Sequence, residues 1–122
     1  MATPGTVTYG RLASGTFLGT SATPVTIFTA QSGQMGAQIT SLLFINIGTV
    51  AADASVWLVP SGQSIADHFF LAKNFTIPSD GGPVDIFQFV NGGVYISAAD
   101  KIQGSASASS AITFFISGAE LS

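Results

Sequence analysis

The chain is predicted to be all-β, an antiparallel β-sandwich of jelly-roll type with about eight or nine strands. Three observations predict this. Short apolar runs rich in Val, Ile, Phe and Thr recur along the 122 residues. Clusters of Gly, Ser, Pro, Asn and Asp separate them. No stretch carries the 3.6-residue period of a long amphipathic helix.

The runs are taken in order. Residues 1–23 hold four Gly and six Thr with isolated larger groups, and read as an N-terminal arm or edge segment with a strand at Thr6–Leu12. The sandwich domain is expected over residues 24–122. Its strands are predicted at Pro24–Thr29, Gln38–Ile47, Ala54–Pro60, His68–Ile77, Val84–Val90, Val94–Ser97, Asp100–Ala106 and Ala111–Gly118. Between them lie Ser32-Gly33-Gln34, Ser61-Gly62, the run Pro78 to Pro83, and Asn91-Gly92-Gly93. Glycine admits positive φ and proline presets φ, so these clusters suit chain reversals.

Alternation along a strand sends successive side chains to opposite faces. Ile112, Phe114 and Ile116 fall on one face, yet Phe115 falls on the other. The same conflict recurs at Leu42-Leu43, Phe44-Ile45, Val56-Trp57-Leu58-Val59, Phe69-Phe70 and Ile86 to Val90. Burying a large apolar side chain contributes about 1.5–3 kcal/mol, and a contiguous exposed apolar patch marks a binding surface. The surplus is expected to be covered by other subunits, the alternative being that loops or the N-terminal arm cover it within one subunit. The expected contact residues are Phe70, Phe87, Phe89 and Phe115, with Tyr9 and Phe17 from the N-terminal segment.

Composition narrows the partners. Charged residues make up 7% of the chain, against a usual value of about 25%, so little like-charge repulsion keeps copies apart. Arg11, Lys73 and Lys101 are the three basic residues and the net charge is −3. Nucleic acid, which needs clustered basic groups, is therefore not an expected partner. Nor is a membrane: the longest apolar stretch, Leu42 to Pro60, is interrupted by Asn46, Gly48 and Asp53. No signal peptide is expected from Met1-Ala-Thr-Pro-Gly-Thr. The absence of cysteine fits synthesis in a reducing cytoplasm and removes thiolate chemistry.

No catalytic constellation is legible, and no cofactor or metal is expected. His68 is the single histidine, and its neighbour Asp67 would face away from it on a strand. Asp80 and Asp85 lack the alternating carboxylates of a calcium loop. Gly81-Gly82 and Gly92-Gly93 precede neither a lysine nor a helix that could cradle phosphate. Trp57, Tyr9 and Tyr95 are rings on which a sugar could stack, with Trp57 expected in the core.

Several segments together resemble a recurring β-sandwich module of tailed-bacteriophage virion proteins. They are Ile39-Thr-Ser-Leu-Leu-Phe-Ile-Asn46, Ala54-Ser-Val-Trp-Leu-Val-Pro-Ser-Gly62, Phe75-Thr-Ile-Pro78, Asp100-Lys-Ile-Gln103 and Ile116-Ser-Gly-Ala-Glu120. The resemblance runs from about Ala37 onward and departs from the pattern at Gly81–Val94. It implies a virion structural protein made in the cytoplasm of a bacterial host and not an enzyme. It does not settle the place in the particle; a small chain of low charge with an N-terminal arm fits a head decoration (cement) protein better, commonly a homotrimer clamping the major capsid protein or other virion proteins. The alternative it leaves open is a tail, baseplate or fibre module that binds a host-surface glycan or receptor.

Overall fold

The computed structural model describes residues 7–17, 24–31, 35–79, 82–86, 93–108 and 111–121; along 7–17, and at Asp67 and Leu121, only the backbone is described. Among the described residues nine strands follow in order: β1 (Val7–Phe17), β2 (Val25–Thr29), β3 (Gly36–Asn46), β4 (Ala52–Val59), β5 (Phe70–Ile77), β6 (Val84–Asp85), β7 (Val94–Ile96), β8 (Lys101–Ala106) and β9 (Ile112–Leu121). Asp67–Phe69 form a single 3-10 turn. The strand predicted from His68 therefore starts at Phe70. The strand predicted over Val84–Val90 is described at Val84–Asp85; Phe87 to Val90 lie outside the described residues.

All pairings are antiparallel. One sheet runs β1-β9-β3-β6, with β7 also on β3; the other runs β2-β8-β4-β5. β6 pairs with Leu43 and Phe44, and β7 pairs with Ala37 to Ile39, on one side of β3. They behave as one interrupted strand. Counting them so, the sheets have the orders 1-8-3-6 and 2-7-4-5, the pairing of a jelly roll built from two Greek keys. From Ile39 to Leu43 β3 advances four residues, whereas its partner advances nine, from Asp85 to Val94. The glycine-rich stretch singled out in the sequence thus enters inside a strand, not between two.

The sheets bury their facing sides against each other. Ile39, Leu42, Phe44, Ile112, Phe114 and Ile116 of the five-stranded sheet meet Ile27, Ala54, Val56, Ile77 and Ile102 of the four-stranded one, all buried. A register shift between Ile39 and Ser41 explains why Ile39 and Leu42, three apart, share this core. The extra residue changes the parity of the strand, and Thr40 turns out to bond the Ser117 carbonyl at 3.3 Å. Beside this bulge, a Cβ on Gly118 would collide with the Gln38 carbonyl, and one on Gly93 with that of Ile39.

Polar staples close the ends. Asn46, buried at the end of β3, donates to the carbonyls of Val50 (2.9 Å) and Ile77 (3.0 Å) and accepts from Gly48 N–H (2.8 Å). Asp100 accepts from Ser61 N–H at 2.9 Å and Ser97 N–H at 3.0 Å. Turn chemistry in the sequence marks both places, since Asn and Asp side chains mimic backbone partners.

Candidate functional site

Two surfaces stand out, one on the outer face of each sheet. On the five-stranded sheet, adjacent apolar residues divide between the faces. Leu42, Phe44 and Phe114 enter the core, while Leu43, Ile45 and Phe115 point outward and are half-buried. Register places Ser14, Phe115, Leu43 and Asp85 in one cross-strand row, and Phe17, Thr113 and Ile45 in the next. Directly opposed side chains in a sheet pack against one another, so Leu43 and Phe115 form the centre of an apolar strip. Large apolar side chains exposed elsewhere are Met35, Ile47, Val50, Leu71 and Tyr95. They lie apart along the chain, and Tyr95 donates its hydroxyl to the Met35 carbonyl.

The second surface is a cleft of about 210 Å³ on the four-stranded sheet, lined by β4, β5 and the end of β8. Three cross-strand rows build it. Trp57 lies opposite Phe70 on one side and Gln103 on the other. Ser55 lies opposite Ser105, and across from it Asn74 projects from β5. Asp53 lies opposite Thr76. The rows pass from aromatic rings, through hydroxyls and an amide, to a carboxylate.

Local sequence explains the concavity. β5 carries two register shifts against β4, each with an extra residue on β5, and such bulges bend a strand and re-aim its side chains. Asn74 occupies the first bulge with φ of 52°, a left-handed conformation that Asn tolerates better than most residues. Its N–H bonds Ser55 Oγ at 3.0 Å, and the Ser55 hydroxyl reaches Asn74 Oδ1 at 3.4 Å. Thr76 donates to Asp53 Oδ1 at 2.8 Å, and the Asp53 N–H and carbonyl exchange bonds with Ser107 at 2.9 and 2.8 Å.

Trp57 and Phe70 stack with centroids 4.9 Å apart at 27°, and Lys73 Nζ lies 5.4 Å from the Phe70 centroid. Trp57 is buried, but it shares the outer face with Ser55 and Asp53 and is not part of the inter-sheet core. Among the described residues its Nε1–H has no hydrogen-bond partner, and an unpaired buried donor costs roughly 1–3 kcal/mol.

Of the six residues expected to make subunit contacts, Phe115 and Phe70 are placed by their side chains, one on each surface. Phe115 lies at the centre of the apolar strip. The backbone of Phe17 is in the adjacent row, and that of Tyr9 lies opposite Ala119; both side chains lie outside the described residues. Phe70 is half-buried in the cleft. Phe87 and Phe89 lie outside the described residues. The cleft as a unit was not legible in the sequence: Trp57 was expected in the core, and it is buried, but in the wall of this cleft and not between the sheets.

The remaining candidates for chemistry are structural in placement. Asp85 Oδ1 accepts from Leu42 N–H at 3.3 Å, Asp100 staples two loops, and His68 packs on Phe69 with centroids 4.1 Å apart. Among the described residues, no three His, Cys, Asp or Glu side chains converge as a metal site would require, and no helix is long and apolar enough to cross a membrane. Comparison of the chain with protein-family models, curated proteins and solved structures finds no match.

Proposed function

We propose that this chain is a structural subunit of a tailed-phage particle, a head decoration protein that acts by binding its neighbours and not by catalysis. The observation that carries the reading is the half-buried strip of Leu43, Ile45 and Phe115 on the outer face of the five-stranded sheet. These groups are already ordered by the sheet, so covering them removes apolar surface from water at little further cost in conformational entropy. The low charge of the chain adds little repulsion between copies. The jelly roll is an architecture that viral capsid and lectin domains share, which is support by analogy of fold alone. In this reading the strip meets a second copy in a homotrimer, and the trimer grips the major capsid protein. Many modest contacts repeated over a lattice then act together.

The test is Phe115→Asp. A carboxylate at the centre of the strip should leave a folded chain, because Phe115 faces away from the core. It should also reduce the oligomer to monomer in light scattering and abolish binding to purified shells. Counting copies by imaging intact particles locates the protein: hundreds over the head agree with decoration, and a few at the tail tip contradict it. A wild-type chain that stays monomeric at high concentration and ignores shells would overturn the proposal.

A further inference from the structure

We propose that the cleft on the four-stranded sheet is a saccharide site taking one neutral hexose or N-acetylhexosamine unit of a glycan. The inference rests on the atoms of the cleft and not on the assembly reading.

A sugar ring presents two kinds of surface. Its C–H groups pack on aromatic side chains, and its hydroxyl edge needs acceptors and donors placed side by side. The cleft offers both. Phe70, half-buried and stacked on the buried Trp57, supplies the apolar wall. Two rows along the same face, the Asp53 carboxylate can only accept, and the Thr76 hydroxyl engages its Oδ1 alone. The neighbouring Asn74 uses its Oδ1 on Ser55, which leaves the amide NH₂ to donate. An acceptor beside a donor matches two adjacent hydroxyls, one giving its proton to Asp53 and the next accepting from Asn74.

These groups are held before any ligand arrives. Ser55 fixes Asn74 from below, and Asn74 keeps a left-handed backbone on a bulge. Non-glycine residues held in such conformations cluster at binding sites. Size and charge then select the ligand. At about 210 Å³ the cleft is smaller than the roughly 300–1,000 Å³ of sites for drug-sized molecules, so it encloses one ring and leaves the rest of a glycan in solvent. The Asp53 carboxylate and the Lys73 ammonium over Phe70 give the cleft one charge of each sign, which favours a neutral sugar unit over a strongly charged one.

Trp57 is the single tryptophan, so intrinsic fluorescence reports on this cleft. The intact protein is titrated with glucose, galactose, mannose and N-acetylglucosamine. The expected result is a saturable change for at least one of them, with a Kd on the order of 1 mM. Asn74→Gly, which removes the amide while accepting the same backbone conformation, should weaken that response at least tenfold at unchanged thermal stability. Asp53→Asn, which retains an acceptor for Thr76, should do the same. A flat response to all four sugars overturns the proposal, as does a response that both variants leave unchanged.

Discussion

Replacing Asn46 by Ala tests how the sandwich is closed at the end of β3. Asn46 is 5% exposed, and its amide joins β3 to the following loop and to the end of β5 by three hydrogen bonds of 2.8–3.0 Å. The bond to the Ile77 carbonyl is buried, whereas those to Val50 and Gly48 are partly buried. Leaving a buried carbonyl unpaired costs about 1–3 kcal/mol, and each partly hydrated bond contributes about 0.5–1 kcal/mol. The expected loss is therefore about 3 kcal/mol. For 122 residues at roughly 2.1 cal/mol/K per residue, this corresponds to a fall in Tm of about 12 °C. Chemical and thermal denaturation followed by circular dichroism measure both quantities. Asn46→Asp refines the test, because it keeps the acceptor for Gly48 but turns a carboxylate towards two carbonyls. Ionisation is then disfavoured and the folded-state pKa of the new group rises. Its deficit relative to wild type is complete above that raised pKa and shrinks as pH falls towards the ordinary value of about 3.9. A loss below about 1 kcal/mol for Asn46→Ala, or a deficit for Asn46→Asp that does not change with pH, would refute the reasoning.

Two further substitutions probe the backbone. Gly118→Ala places a methyl against the Gln38 carbonyl and the backbone of Ile39, atoms that cannot rotate away, and should cost about 3 kcal/mol or more. Gly62→Ala meets open space at φ +79° and should cost only about 1–2 kcal/mol; equal losses in urea denaturation would count against the close approach at Gly118. Asp100→Ala removes the acceptor for the amides of Ser61 and Ser97, both exposed, and should cost about 1–2 kcal/mol. Hydrogen exchange at those two amides should accelerate selectively, and unchanged exchange would refute the staple.

Much of the fold is legible along the chain because strand, turn and core positions are local properties. Ser61-Gly62 turns the chain after β4 as its residues predict, and the alternation of Ile112, Phe114 and Ile116 names an inward face that the sheets bury. Adjacent pairs such as Leu42-Leu43 and Phe114-Phe115 announce that one member must turn outward, and the half-burial of Leu43 and Phe115 agrees. Bulges are less legible. The extra residue at Thr40 shifts the parity of β3 through pairing with β9, and nothing near Thr40 in sequence announces it. The glycine run before Val94 likewise reads as a turn between strands, yet β6 and β7 share one edge of β3.

The cleft is the clearest case of what tertiary structure alone decided. Asp53, Ser55 and Trp57 alternate on β4, so their common face follows from the pleat. Their meeting with Phe70 and Asn74 depends on β5 pairing beside β4 with two extra residues. A period of two assigns a side chain to a face. Which strand lies alongside, and in which register, is settled by the packing of the whole sandwich, which is why Trp57 lies in the wall of a cleft and not between the sheets.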